Sequence, residues 1–268
     1  MILFCYFTCI LYNFNKTKWQ NINKERTYIG NCCKNSFLIF DCRNIKLSKK
    51  NKSDLSLKNI IKYAVDSALF INNYKGFDIF LEIFEKDGSE SESCGNGLIL
   101  VADFLNLNKG KIKMINSTVR VEGNMLKQSI LMNTKFLKIK EFSQKNYIFV
   151  KVGEPHVVIL VKDINKFNLL KIGKELQKNY LGGVNVDVIQ KIDEFHYLIK
   201  TYERGVFNIT KSCGTGSLSS FIAISYFNKK RYNKPIEFKS KGGNHLVSKT
   251  NNMLKLEVLK KFCKVKNL

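Results

Sequence analysis

The chain has 268 residues, of which 44% are hydrophobic, and this composition excludes a disordered or fibrous protein. Its 45 Lys and Arg outnumber its 22 Asp and Glu, giving a formal net charge of +23 that would suit a nucleic-acid or anionic-membrane partner. Nearly all of the excess is lysine, spread among Asn, Ile, Phe and Tyr residues with AT-rich codons, and no zinc-finger, KH or RRM motif is present, so we predict no nucleic-acid partner.

Residues 1–26 are predicted to form an extension with no assigned role. Their apolar run, residues 1–12, is too short to span a bilayer and lacks the basic start and small-residue cleavage site of a signal peptide. The eight cysteines of the chain show no CxxC spacing, which argues against a zinc site, a redox motif or a disulfide framework. We therefore predict a cytoplasmic protein with no membrane partner and no metal.

Apolar and alternating runs predict a strand-rich chain with a few helices. In chain order, strands are predicted over residues 37–41, 77–84, 112–115, 119–122 and 129–132, and then over 147–151, 156–161, 184–190, 195–202, 236–239 and 253–258. Amphipathic helices are predicted over residues 56–72 and 165–179. A polar stretch at residues 135–145 separates the two sets of strands and is the predicted domain boundary.

An internal repeat is the strongest signal of organisation. The motif Cys94-Gly95-Asn96-Gly97 precedes one apolar run of helix length, and Cys213-Gly214-Thr215-Gly216 precedes another. Two copies predict two pseudo-equivalent halves, residues 27–138 and 139–258, each with one buried helix. The predicted fold class is α+β, with two pseudo-symmetric domains, each a barrel-like sheet around a central helix, and an active site in the cleft between them. For the tail 259–268, a return to the first half is left open.

Each of these motifs places a cysteine at the start of a helix. There the unpaired N–H groups and the helix dipole favour a thiolate, and the following glycine lets the backbone approach a ligand closely. Two such starts facing each other would hold one carboxylate between two helix ends, with a thiol on either side. This arrangement suits removal of a proton from the carbon next to a carboxylate and its return to the opposite face. No phosphate loop, dinucleotide fingerprint or metal motif is present, so no cofactor is predicted.

At these residues the chain resembles the diaminopimelate epimerase family, whose members act without a cofactor through two cysteines. The resemblance runs from about residue 27 to about residue 258 and is densest at 83–97, 153–160, 184–189 and 202–216. It implies that Cys94 and Cys213 are the two acid/base groups, and that His156 and Glu203 adjust their pKa values. The substrate-binding residues that it implies are Asn35, Gly95, Asn96, Asn185, Glu203, Arg204, Gly214 and Thr215.

Two departures from the family pattern concern the far end of the substrate. Where the family has asparagine, this chain has Glu85 and Glu154, and an ionised carboxylate there would repel a second substrate carboxylate unless a cation such as Arg204 paired with it. The chain is then either a diverged epimerase with compensating changes or an enzyme whose substrate has a different distal group. We favour the first, because Asn185, Glu203 and Arg204 are all retained.

The leading hypothesis is an isomerase that converts LL-diaminopimelate to the meso form in lysine and peptidoglycan precursor biosynthesis. One alternative is a racemase of the same fold that acts on another amino acid. The other is a catalytically dead, basic binding protein, which a salt-sensitive affinity for nucleic acid would reveal. The predicted partner is a small amino-acid substrate, and a homodimer is left open.

Overall fold

The computed structural model describes residues 26–134, 137–141 and 146–268. The apolar run at residues 1–12 lies outside these residues, as does the rest of the predicted extension except Arg26. The predicted boundary at residues 135–145 also lies mostly outside them. Among the helices of the described residues, none is long and apolar enough to cross a membrane.

The secondary structure falls into two series of similar order. The first comprises β1 (Thr27–Cys32), β2 (Asn35–Asp41), α1 (Lys49–Tyr63), β3 (Ser67–Asn72), β4 (Ile79–Phe84), β5 (Glu90–Ser91), α2 (Gly95–Phe104), β6 (Lys109–Lys113), β7 (Thr118–Gly123) and β8 (Lys127–Asn133). The second comprises β9 (Lys138–Glu141), β10 (Tyr147–Val152), β11 (Glu154–Val161), α3 (Leu169–Asn179), β12 (Asn185–Lys191), β13 (His196–Glu203), β14 (Asn208–Ile209), α4 (Gly214–Phe227), β15 (Ile236–Lys239), β16 (Asn244–Thr250), β17 (Met253–Leu259), a 3₁₀ turn (Lys260–Phe262) and β18 (Cys263–Asn267).

The strand pairing repeats between the two halves. Strands β2 and β3 run parallel across α1, as β11 and β12 do across α3. Strands β4 and β6 are parallel on either side of α2, as β13 and β15 are on either side of α4. Antiparallel pairing of β8 with β17 joins the halves into one 18-stranded sheet. The result is the predicted α+β fold with two pseudo-symmetric halves.

The strands that follow β8 and β17 pair differently with respect to the two series. Strand β9, which begins the second series, pairs with β10 of that series. Strand β18, which ends the second series, pairs with β1, so that the C-terminal strand lies in the first half. Because the sheet runs through both halves without a break, the predicted division between residues 138 and 139 stays a prediction.

The two central helices are buried on all sides and are built mainly of apolar and small residues, which is the pattern of a helix enclosed by other structure. Every residue from Gly95 to Ala102 in α2 is buried, and so is every residue from Gly214 to Ile224 in α4. Strands of the same half surround each helix. The N-termini of both helices lie at the junction of the two halves, where Gly95 and Gly214 are in contact.

The helix predicted over residues 56–72 is wrong in its second part. The helix begins earlier, after the cap Ser48, whose side chain accepts a hydrogen bond from the backbone N–H of Asn51, and it ends at Ala64 in the left-handed conformation with φ of 51°. Residues Ser67–Asn72 then form β3, which is buried on both faces. A strand buried on both faces has no alternation, so its apolar run resembles the continuation of a helix.

Candidate active site

The N-termini of α2 and α4 meet where the two halves join, and each begins with a cysteine. Cys94 and Cys213 are the N-cap residues of these helices and have nearly the same extended backbone, with φ near −139° and −137°. The Sγ of each accepts a hydrogen bond from the backbone N–H three residues on, at 3.4 Å in both cases. The repeat in the sequence thus produces a repeat in geometry.

Glycine at the next position allows the two helix ends to touch. A Cβ added to Gly95 would lie 3.1 Å from the Cα of Gly214, and a Cβ added to Gly214 would lie 3.0 Å from the Cα of Gly95. Either Cβ would also lie 2.9 Å from the side chain of Leu256. Only glycine fits at these two positions. Because no side chain separates the two helix ends, the free N–H groups of both helices lie close together at the same cavity.

This cavity has a volume of about 500 Å³ and collects nearly all of the predicted site residues. The predicted residues that line it are Asn35, Glu85, Cys94, Gly95, Asn96, Glu154, Asn185, Glu203, Arg204, Cys213, Gly214 and Thr215. His156 is the exception, because it is fully buried behind Thr215.

A chain of buried hydrogen bonds extends from Cys213 through His156. The Oγ1 of Thr215 lies 3.4 Å from the Sγ of Cys213 and 3.0 Å from Nε2 of His156, whose Nδ1 lies 2.7 Å from the carboxylate of Asp187. An ionised carboxylate only accepts, so Nδ1 carries a proton and Nε2 of a neutral imidazole accepts from the Thr215 hydroxyl. The hydroxyl oxygen is then free to accept from the thiol of Cys213.

The surroundings of Cys94 differ. Its Sγ lies 3.9 Å from Oδ1 of Asn35, and the amide nitrogen of Asn35 donates to Asp66 at 3.1 Å. In the matching turns of the two helices, Gly97 packs against apolar Leu69, whereas Gly216 packs against Asp187. A histidine relay therefore supports Cys213, whereas Cys94 has the amide of Asn35 nearby and an apolar contact at Gly97.

The side chain of Asn96 links the two halves instead of facing the cavity freely. Its amide donates to Oγ of Ser212 at 2.9 Å, and its Oδ1 lies 2.9 Å from Nε2 of His245, which also contacts Ser217. The group that Asn96 can offer a ligand is therefore its backbone N–H in the first helical turn. Sequence reasoning missed Ser212 and His245 as site-supporting residues, although Ser212 precedes Cys213 and His245 lies in the Gly-Gly-Asn-His-Leu segment.

Asn185 and Arg204 are held to each other. The Oδ1 of Asn185 accepts from the backbone N–H of Arg204 at 2.9 Å, and its amide donates to the carbonyl of Pro155 at 3.0 Å. The guanidinium of Arg204 donates to the carbonyl of Gly182 at 3.0 Å and forms an ion pair with Glu154. Glu154, whose carboxylate was expected to repel a second substrate carboxylate, is thus paired with Arg204, the cation proposed to compensate it.

The sequence predicts that the helix N-termini favour the thiolate and so lower the pKa of both thiols. This prediction is wrong, because the net shift of each pKa is upward. Burial raises the pKa of the Cys94 thiol well above its usual range, and Glu85 adds to this effect. Burial and then Glu203 raise the pKa of the Cys213 thiol in the same way. Backbone N–H groups lower both pKa values, but by less than burial and the neighbouring carboxylates raise them.

The two carboxylates beside the thiols are perturbed as well. Burial raises the pKa of Glu85 to about 7, with further contributions from Glu203 and Glu154. Burial also raises the pKa of Glu203 to about 7, with contributions from Asp66 and Asp187. Hydroxyl donors offset part of the effect, since Ser67 donates to Glu85 at 2.9 Å and Thr210 donates to Glu203 at 2.7 Å.

Replacing Glu85 with glutamine should stabilise the fold in a pH-dependent way. The folded-state pKa of about 7 lies above the usual value of 4.5, so ionisation costs folding free energy as pH rises from 4.5 to 7. We expect Glu85→Gln to raise Tm by about 3 °C at pH 8, with the gain growing between pH 4.5 and 7 and levelling off above. Glu175→Gln, at an exposed glutamate, is the control. An equal effect of Glu85→Gln at pH 5 and pH 8 would contradict this origin.

Within the described ranges 26–134, 137–141 and 146–268, no group of three or more His, Cys, Asp or Glu side chains is arranged to hold a metal ion. The described residues of the cavity offer a ligand two thiols, helix N–H groups, carboxylates, amides, hydroxyls and one guanidinium.

Comparison with known proteins gives consistent results. A family model described as diaminopimelate epimerase matches residues 148–260. The diaminopimelate epimerase of Thermotoga maritima is 29% identical over 225 residues, covering 81% of this chain and 91% of that protein. That of Clostridium acetobutylicum is 30% identical over 248 residues, covering 78% and 73%. In fold, the chain is similar to a predicted epimerase from Pseudomonas aeruginosa, with a TM-score of 0.68 at 12% identity over 91% of this chain and 99% of that one.

Proposed function

This chain belongs to the diaminopimelate epimerase family, and we propose that it interconverts LL- and meso-diaminopimelate by moving the α-proton between Cys94 and Cys213. The enzyme is an isomerase acting on a small amino-acid substrate. We place its reaction in the supply of lysine and of peptidoglycan precursors. A cytoplasmic location and a homodimer stay predictions.

One observation carries this proposal. Two thiols cap two buried helices whose ends touch through Gly95 and Gly214, and both thiols line one cavity. A carboxylate placed at these ends would accept hydrogen bonds from the free N–H groups of both helices. Its α-carbon would then lie between the two thiols, where one can take a proton from one face and the other can deliver a proton to the opposite face.

The proton balance of the reaction requires one thiolate and one thiol. The thiolate takes the α-proton as the C–H bond breaks, and the other thiol gives its proton as a new C–H bond forms on the opposite face. The charge that develops on the carboxylate in between is stabilised by N–H groups already oriented toward it. After turnover the thiolate and the thiol have exchanged places, so the enzyme is ready for the reverse reaction.

Formation of the thiolate depends on the charge of the bound substrate. Burial, Glu85 and Glu203 raise the pKa of the thiols in the empty cavity. An amino-acid substrate brings ammonium groups that offset those carboxylates, and so lowers the cost of ionising a thiol nearby. The relay from Asp187 through His156 to Thr215 positions a proton-accepting oxygen at Cys213 and makes His156 a positioning residue.

Incorporation of deuterium from heavy water tests the proposed function directly. Incubation with LL-diaminopimelate should give meso product carrying one deuterium at the inverted α-carbon, because the delivering thiol exchanges its proton with solvent. Product stereochemistry is followed by chiral chromatography and deuterium content by mass spectrometry. Absence of both inversion and α-exchange in folded protein would refute the proposal.

A further inference from the structure

The wall of the active-site cavity is acidic, although the chain as a whole has a formal charge of +23. Among the described residues that line the cavity, the one cation is the guanidinium of Arg204. The carboxylates that line it are Asp66, Glu85, Asp87, Glu90, Glu154 and Glu203. None of the described residues that line the cavity is a lysine, although the chain is rich in lysine. The excess of carboxylates favours a ligand with more than one positive group.

The charge of Arg204 is already balanced within the protein. Its guanidinium is paired with Glu154, a residue only 5% exposed. The other oxygen of that carboxylate accepts from Oγ of Ser91 at 3.1 Å and from the backbone N–H groups of Glu92 and Ser93 at 2.9 and 3.3 Å. With donors on both oxygens Glu154 is fixed in place, and a second carboxylate that approaches Arg204 meets a neutralised cation.

Two carboxylates of the cavity, Glu85 and Glu203, differ from two others in having no cationic partner among the described residues. Glu90 is paired with Lys49 at 2.6 Å and Asp66 with Lys86 at 3.6 Å. By contrast, within the part of the chain that the structure describes, no salt bridge reaches Glu85 or Glu203. Glu85 accepts from the hydroxyl of Ser67, and Glu203 accepts from the hydroxyl of Thr210 and the thiol of Cys213. Burial raises both pKa values to about 7, with nearby carboxylates adding to it: Glu203 and Glu154 for Glu85, and Asp66 and Asp187 for Glu203. A cation bound in the cavity would stabilise their ionised forms.

A buried hydroxyl of a residue that lines the same cavity gives an independent sign of a missing ligand. The side chain of Ser93 lines the cavity and is 4% exposed, and its Oγ has no hydrogen-bond partner among the described residues. A buried hydroxyl left unpaired is costly, so a ligand donor that reaches it is stabilised. An ammonium group has three N–H donors and suits both this oxygen and the carboxylates.

We propose that this cavity recognises the second ammonium of a diamino acid more strongly than its second carboxylate, so that α,ω-diamino monocarboxylic acids of the lysine class are a further group of substrates. The two available carboxylates match the two ammonium groups of such a molecule, and the helix ends match its single carboxylate. The reaction is the same proton transfer between Cys94 and Cys213. The inference rests on the proposed two-thiol function but differs from it in the distal group required.

Two analogues separate the distal groups of diaminopimelate. L-Lysine lacks the distal carboxylate and keeps the distal ammonium, whereas L-2-aminopimelate lacks the distal ammonium and keeps the carboxylate. We expect α-deuterium exchange in heavy water to proceed with a kcat/KM at least about 10-fold higher for L-lysine than for L-2-aminopimelate. LL-Diaminopimelate is run in parallel.

The outcomes distinguish the two proposals. Faster exchange of L-lysine than of L-2-aminopimelate supports the inference, whatever the result with LL-diaminopimelate. Equal or slower exchange of L-lysine overturns it, and so does absence of exchange with both analogues while LL-diaminopimelate is epimerised. Absence of exchange with all three compounds overturns the inference and the proposed function together.

A variant tests the part that Glu154 plays in this preference. Glu154→Gln retains an oxygen for the N–H groups of Glu92 and Ser93 but leaves Arg204 without its counter-charge. We expect the ratio of kcat/KM for L-lysine to that for L-2-aminopimelate to fall about 10-fold, because the unpaired guanidinium attracts a distal carboxylate and repels a distal ammonium. Glu122→Gln, at an exposed glutamate, should leave both values unchanged. An unchanged ratio in folded Glu154→Gln would show that Glu154 does not set the preference.

Discussion

Replacing either Cys94 or Cys213 with alanine is expected to lower the rate of epimerisation by about 10³-fold or more. Each thiol serves one face of the α-carbon, and alanine has no group that can take or give a proton. Alanine is smaller than cysteine, so neither substitution forces the touching helix ends apart. The rate of inversion is measured by separating LL- and meso-diaminopimelate over time.

Each single variant is still expected to exchange the α-hydrogen on the face that its remaining thiol serves. With one thiol left, a proton can be removed from one face and returned to that face, so exchange of the α-hydrogen can continue without inversion. Deuterium content and stereochemistry measured on the same sample distinguish this from loss of all chemistry. Cys42→Ala, at a buried thiol outside the cavity, is the control and should remain active. Inversion at a near-native rate in either active-site variant would refute the two-thiol mechanism.

Local sequence was sufficient to predict the centre of this site. A cysteine followed by glycine, a polar residue and glycine sets a helix start within four positions, and an apolar run after it predicts burial of that helix. Two copies therefore predicted both caps, both central helices and the two-fold repeat of the fold. The strands that were missed include β1 and β18, which are short and pair with each other across more than 200 positions.

The supporting groups of the site depend on contacts that the sequence does not display. Asp66 holds Asn35 across parallel strands, and His245 reaches Asn96 from the opposite half, so neither could be assigned from spacing alone. The thiol pKa values were misjudged for the same reason. The helix N-terminus is a local feature and lowers the pKa, whereas burial and the approach of Glu85 or Glu203 arise from the tertiary fold and outweigh it.

Gly214→Ala should lower kcat about 10²-fold while leaving the protein folded. The new Cβ would lie 3.0 Å from the Cα of Gly95, on the backbone of a helix that cannot turn away because its own half surrounds it. The helix ends would move apart, and the two thiols would move apart with them. A misplacement of about 1 Å at a reacting centre lowers the rate about 10²-fold. Gly95→Ala should have the same effect, since its Cβ would lie 3.1 Å from the Cα of Gly214.

Crowding by itself should not produce this loss of turnover. At Gly30 an added Cβ would lie 3.0 Å from the side chain of Leu100 and 3.1 Å from the carbonyl oxygen of Lys264, away from the cavity. We therefore expect Gly30→Ala to reduce stability by about 1–3 kcal/mol, as overpacking does, with kcat unchanged. A kcat of Gly214→Ala within about twofold of the unsubstituted protein would show that contact between the helix ends does not position the thiols. The relay through Thr215 would then have to hold Cys213 in place without that contact.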